Sequence, residues 1–289
     1  MIDHVVVGVD GSEPAAVAAR WAAREAAWWH TPLTVLTVSG VDAPSVGGAE
    51  WRAAKEALAR EVARTTRDEL AAAEPGVPIT TETGGADVEN ALRQASQDAL
   101  LLVLGRPTGT LSGLLAGSPD ADLIARAGCP VAIVRGSGTT RVDGPVVVGV
   151  DGSPTSEAAI GWAFEEASRR HARLVALHAW QDSYSGLPST PWVDVGEAEE
   201  RALAQRLAGR RERFPDVDVD LVVARDRPRD RLIEHGKYAA VIVVGSRGRG
   251  GFTGMVLGST THALLHHADC PVLVVSRERN GRTRTVEER

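Results

Sequence analysis

The octapeptide VVVGVDGS occurs at Val5 to Ser12 and returns, 141 positions later, at Val146 to Ser153. The register persists beyond it. RWAAREAA and GWAFEEAS follow, so Trp21 corresponds to Trp162, and LTVLTV (Leu33 to Val38) aligns with LVALHA (Leu174 to Ala179). Near the end of each half GCPVAIVR aligns with DCPVLVVS, which brings Cys129 and Cys270 into register. A period this long marks a duplicated domain rather than a solenoid, and 289 residues suit two domains of common size. The polar, Gly-rich stretch GSGTTRVDGP reads as the joint. The expected organisation is a first domain over 1–136, a linker over 137–144, a second domain over 145–277 and a charged tail over 278–289.

Within each half, strands and helices alternate. HVVVGV and PVVVGV are short Val-rich runs of the kind found in strands buried on both faces. Glu13 to Trp29 is Ala-rich and free of glycine, with Ala18, Trp21, Ala22 and Glu25 at helical spacing. A strand is expected at Leu33 to Val38, then a long helix over roughly Glu50 to Glu74; the equivalent second-half helix puts Leu203, Leu207 and Phe214 on one face. PITTET and VDVDLVV alternate as strands do, LLLVLG or VIVVGS supplies a fourth strand, and PVAIV or PVLVV a fifth. Such alternation predicts an α/β fold with a parallel sheet in each half. Right-handed crossovers then put two helices on each face.

Composition narrows the function. With 43% hydrophobic and 24% charged residues the chain can build a core, and a formal charge of −6 without an aromatic-interleaved basic run argues against nucleic acid as a partner. Two distant cysteines outside any CxxC pattern fit a reducing compartment. MIDHVVVGVD runs directly into a strand, and no apolar run approaches the roughly 20 residues of a membrane helix. No membrane association and a cytoplasmic location are the expectations.

The richest stretch is GSRGRGGFTGMVLGST, Gly245 to Thr260, which follows a buried strand and enters the helical pattern THALLHHA. Glycines there let backbone N–H groups crowd around a phosphate. Ser259 and Thr260 fall at a helix N-terminus, where free N–H groups favour an anion. The loop lacks the lysine of a Walker A motif, and DGS after the first strand lacks the glycines of a dinucleotide fingerprint. The spacing is Gly245, two residues, Gly248, nine residues, Gly258, then Ser259.

That spacing, the aspartate ending the first strand and the tandem halves together resemble the universal stress protein family over nearly the whole chain. The resemblance implies two open sheets of order 3-2-1-4-5, paired through their last strands into an internal pseudo-dimer that covers each sheet edge, with a homodimer on top of it. It also implies ATP as ligand, with Mg²⁺ as a further component. Asp151 corresponds to an aspartate facing ribose or a phosphate-bound metal. Gly149 and Val150 lie against the nucleotide, and the backbone at Ala179, just past the second strand, meets the adenine edge. Gly245, Ser246, Arg247 and Gly248 wrap ribose and phosphates, Arg249, Gly250 and Gly251 continue the loop, and Gly258, Ser259 and Thr260 hold the phosphate tail. Each has a plainer reading: DGS is also a turn and N-cap, glycines after a strand can serve a tight turn alone, and the arginines can be solvated.

The first-half loop, GRPTGTLSGLLAGSP (Gly105 to Pro119), is one residue shorter and departs from the pattern. Gly248 corresponds to Thr108, or to Gly109 with the gap placed earlier. Pro107 restricts Arg106, and Pro119 replaces Thr260, suiting a helix start but offering neither N–H nor hydroxyl. A weaker site is expected there, built from Gly8, Val9, Asp10, Val38, Gly105, Gly117 and Ser118. Elsewhere, His262 and His266 have a chelating spacing without an evident third ligand. Asp216, Asp218 and Asp220 read as a solvated face, Cys129 and Cys270 as core, and Trp28 and Trp29 as packing or a contact patch. Three functions fit: a nucleotide-dependent regulatory module acting on a protein partner, a slow ATPase or ATP-dependent transferase, and a nucleotide-independent scaffold. No general base or catalytic lysine is identifiable.

Overall fold

A computed structural model describes residues 4–40, 48–85, 87–106, 119–135, 141–180, 192–249 and 256–276. The first half runs β1 (Val5–Gly8), α1 (Glu13–Trp28), β2 (Leu33–Val38), α2 (Ala49–Ala73), β3 (Ile79–Gly84), α3 (Val88–Ala95), β4 (Leu101–Gly105), α4 (Pro119–Arg126) and β5 (Val131–Val134). The second repeats it as β6 (Val146–Gly149), α5 (Pro154–Arg170), β7 (Leu174–Trp180), α6 (Trp192–Arg213), β8 (Val219–Arg225), α7 (Pro228–Gly236), β9 (Val241–Gly245), α8 (Ser259–His267) and β10 (Val272–Val275).

The strands form one ten-stranded sheet in the order β3-β2-β1-β4-β5-β10-β9-β6-β7-β8. Each half therefore has the order 3-2-1-4-5, and its internal pairs are parallel. The halves join where β5 meets β10 antiparallel, with Leu273 opposite Ala132. That pairing removes one exposed edge from each half, as sheet edges require.

The repeated octapeptide explains the first turn of both halves. Val5 and Val7 enter the apolar layer under α1, α2, α5 and α6, while Val6 enters the layer under α3, α4, α7 and α8. Asp10 Oδ1 accepts from the Ser12 N–H and Asp151 Oδ1 from the Ser153 N–H, both at 2.9 Å. Gly11 and Gly152 take φ of +84° and +74° between them, a conformation that favours glycine. Ser12 and Ser153 then cap α1 and α5, accepting from Ala15 N–H and Ser156 N–H, with proline in the first turn of each helix.

Boundaries read from the sequence differ from these by a residue or so. Phe214 lies one residue beyond α6 and stacks on Phe164 with centroids 5.8 Å apart. The second strand extends to Trp180, so Ala179 lies inside β7 rather than past it. The sequence does not locate α3 and α7 by residue: in these helices of 8 and 9 residues the buried apolar side chains are Leu92 and Leu232, too few to show a period. Asp220 and Asp218 face Arg173, at 3.0 and 3.6 Å, and Asp216 accepts from the Ser168 hydroxyl.

Side chains reinforce the joint between halves. Trp29 packs on Trp162 with ring centroids 4.9 Å apart, Arg169 lies over Trp29 and Arg170 over Trp28. At the far end of β5, Arg135 donates to the Ala268 and His266 carbonyls (2.8 and 2.5 Å), closing the C-terminus of α8. Its counterpart by the repeat is Ser276, too short to do the same for α4, and a space of about 530 Å³ lies there between the halves. Among the described residues no helix is long and apolar enough to cross a membrane.

Candidate functional site

In the second half the order in which strands are added reverses between the parallel neighbours β6 and β9. Loops leaving the two strands go to opposite faces and leave a crevice, the usual ligand position in open α/β sheets. A cleft of about 410 Å³ occupies it.

Its inner wall is apolar: Leu177, Ala179, Leu232, Val244 and Leu257 line it. Its outer part is backbone and polar groups, from Gly149, Val150, Asp151, Gly245, Arg247, Gly248, Arg249, Gly258, Ser259 and Thr260. Ser259 and Thr260 are the first two residues of α8, and Gly258 is its N-cap without a side-chain hydrogen bond to the first turn. The N–H groups of that turn therefore face the cleft without a side-chain cap, the arrangement that attracts anions.

The loop glycines have separate physical reasons. A Cβ on Gly245 would stand 2.5 Å from Thr155 Oγ1 and 2.8 Å from the Thr155 carbonyl carbon, so β9 can press on the start of α5 only through glycine. Gly105 has the same relation to Pro14, at 2.6 Å, in the half whose loop departs from the pattern. This first glycine thus serves packing in both halves. Gly248 differs: a Cβ there would stand 2.5 Å from Asp151 Oδ2, inside the cleft. Gly258 makes only ordinary contacts, and its N–H donates to the Ser246 carbonyl at 2.8 Å.

Asp151 has one oxygen committed to its turn, and the other accepts from the Arg249 N–H at 3.2 Å. Its own N–H donates to Ser156 Oγ at 3.1 Å. The loop is fixed from behind, where Ser153 and Thr155 hydroxyls donate to the Arg247 carbonyl. Thr261 Oγ1 donates to the Gly245 carbonyl at 2.8 Å. A histidine ring braces the floor, with His178 Nδ1 2.6 Å from the Val150 carbonyl and Nε2 3.3 Å from Glu199.

The structure thus brings Gly149, Val150, Asp151, Ala179, Gly245, Arg247, Gly248, Arg249, Gly258, Ser259 and Thr260 to one cleft. Ser246 is buried and lines the space between the halves instead, its N–H spent on the Val275 carbonyl. Gly250 and Gly251 lie outside the described residues. Sequence reasoning missed Ser156, Thr261 and, Ala179 apart, the apolar wall. Pro228 and Leu232 escaped because α7 did, while Ser156 and Thr261 sit inside helices as unremarkable polar residues.

In the first half Gly8, Val9, Asp10, Val38 and Gly105 occupy the matching ends of β1, β2 and β4. Gly117, Ser118, Pro107, Thr108 and Gly109 lie outside the described residues, and Pro119 opens α4. His262 and His266 have ring centroids 4.6 Å apart on α8. Burial, with the neighbouring histidines and Arg135, pushes the His266 pKa down. Among the described residues no group of three or more His, Cys, Asp or Glu gathers to hold a metal.

Comparison with known proteins agrees with this architecture. The universal stress protein family model matches residues 1–135 and again 144–276. A universal stress protein of Mycobacterium tuberculosis is 40% identical over 282 residues, 93% of this chain and 96% of that one. One of Mycolicibacterium smegmatis is 40% identical over 284 residues, covering 94% and 96%. The crystal structure of a universal stress protein from Archaeoglobus fulgidus shares the fold with a TM-score of 0.75, at 18% identity over 96% of this chain and 98% of that one. With two matches of the model in tandem and relatives of this identity along almost its whole length, the chain belongs to the universal stress protein family.

Proposed function

We propose that the second half binds one ATP in the cleft between β6 and β9, and that occupancy tunes how the protein meets a partner in the stress response. The observation carrying this reading is the meeting of Gly248, Asp151 and the uncapped start of α8 around one space of about 410 Å³. That volume falls in the range of small-ligand sites, about 300–1,000 Å³. The apolar wall suits the flat base, the backbone N–H groups of α8 suit phosphate, and Asp151 suits a ribose hydroxyl. A Mg²⁺ ion would reach the protein through Asp151 and otherwise rest on the nucleotide's own phosphates, as this ion commonly does.

Calorimetric titration with ATP tests the reading on the full chain and on Gly248→Val. The wild type is expected to bind and the variant to lose binding, because the new side chain would meet Asp151 Oδ2. Equal heats from both proteins would contradict it. Turnover abolished by Asp151→Ala would move the assignment to a slow ATPase or transferase; partner binding indifferent to Gly248→Val would move it to a scaffold. The location proposed is cytoplasmic, with the described pseudo-dimer as the unit that pairs further.

A further inference from the structure

Beside the cleft stands a pair of cations, one from the glycine loop and one from a helix outside it. A Cβ built on Gly152 would collide with the Arg249 guanidinium, and would stand 2.7 Å from Nη2 and 2.8 Å from Cζ of Arg206. Two guanidinium groups therefore crowd one point of backbone directly after Asp151. Arg249 comes from the loop after β9; Arg206 comes from the middle of α6, which packs on the opposite face of the sheet from α7 and α8. Arg206 pairs with the Glu157 carboxylate at 2.7 Å, and both are partly exposed. Asp151 meets the Arg249 backbone rather than its guanidinium. Like charges brought this close repel, and a polyanion laid between them relieves the repulsion while accepting bidentate hydrogen bonds.

The position along the cleft says which part of a ligand meets them. The apolar wall of Leu232, Val244 and Leu257 belongs to the α7 and α8 side. Gly152 leads into α5 on the other side. A ligand whose base rests on that wall and whose phosphates pass the start of α8 and Gly248 reaches Gly152 last. Among the described residues the first half has Val62 in this place: over Gly11, the equivalent of Gly152, its Cγ2 lies 3.3 Å from the corresponding point.

We propose that Arg206 and Arg249 clamp the distal phosphates and make the second-half site select a nucleoside triphosphate over the monophosphate. This rests on the reading that the cleft binds an adenine nucleotide. Arg206 is then a specificity-determining residue supplied by a helix outside the motif, and Glu157 holds its guanidinium in place until phosphate arrives.

The experiment compares ATP and AMP affinities of the full chain with those of Arg206→Gln. Arg206 is a surface residue, so the variant is expected to keep the wild-type melting temperature. ATP should weaken about tenfold, the effect of losing one charge-assisted contact, while AMP stays within about twofold. Arg249→Gln should repeat the pattern, since its backbone N–H to Asp151 is unchanged. Parallel loss of ATP and AMP, or unchanged ATP affinity in Arg206→Gln, would overturn the clamp while leaving nucleotide binding intact. A wild type that binds neither ATP nor AMP would overturn the clamp and the nucleotide reading together.

Discussion

Glu25 and Glu166 occupy equivalent positions of the repeat and meet across the joint of the two halves, sharing one guanidinium. Arg170 donates to Glu25 Oε1 and, at 2.9 Å, to Glu166 Oε2, with all three side chains almost fully buried. The residue equivalent to Arg170 is Trp29, whose Nε1 donates to Glu166 at 3.0 Å. The exchange of arginine for tryptophan makes the joint unequal: two first halves placed face to face would bury two glutamates without the arginine that joins them here. The tandem arrangement is thus encoded in side-chain chemistry as well as in connectivity.

Burial pushes the Glu25 pKa well above its ordinary value; Arg170 pulls it back and Glu166 pushes it up again. Among the described residues its Oε2 accepts no hydrogen bond, and the neighbouring Glu166 carboxyl favours a proton on the pair, a position easier for a neutral acid than for a carboxylate. The folded protein therefore keeps this proton to higher pH than the unfolded chain. The stabilisation is complete below the ordinary glutamate value, about 4.3, and is lost as pH rises toward the raised one. Glu25→Gln removes that loss. Thermal melts should show the variant matching the wild type in acid and gaining on it as pH rises above the ordinary glutamate range. A variant that loses ground as pH rises would refute the assignment.

Gly105→Ala and Gly245→Ala should destabilise to a similar degree, each by about 1–3 kcal/mol as an overpacked contact. In both halves the added methyl would meet backbone at the start of the following layer's helix, at Pro14 or Thr155. Urea unfolding of the two variants measures it. A neutral Gly105→Ala would mean that the first glycine is kept for ligand contact alone.

Cys129 and Cys270 should be chemically silent. Burial pushes both thiols up to about 12, so little thiolate forms at neutral pH. Alkylation at pH 8 is expected only after denaturant is added; fast labelling of the native protein would show that the β5 and β10 ends open readily.

Arg135→Met should cost about 1–3 kcal/mol, since a partly buried pair of charge-assisted carbonyl contacts to Ala268 and His266 is removed. The loss should appear in melts of the whole chain as one shifted transition, because the side chain ties one half to the other.

Most of the fold was legible because Val-rich strands and the 141-residue repeat are strong, local signals. The strand order and the β5–β10 joint followed from family resemblance, and the structure has both. The glycine loop was legible as a phosphate-type loop, yet the sequence could not separate its glycines: Gly245 answers to helix packing and Gly248 to Asp151, a distinction set by contacts nearly a hundred residues away in the chain. Ser246 points to the far side of the loop for the same reason. The apolar wall stayed hidden because α7 buries too little to show a period, and Arg206 because a helix arginine looks like any solvated one. The shared arginine of Glu25 and Glu166 was equally invisible, since it appears only when the halves face each other.

The most direct measurement is the nucleotide released when freshly purified protein is denatured. About one ATP per chain, absent from Gly248→Val, is the predicted result. No nucleotide released, and none taken up when ATP and Mg²⁺ are added, would contradict a working site in the second half.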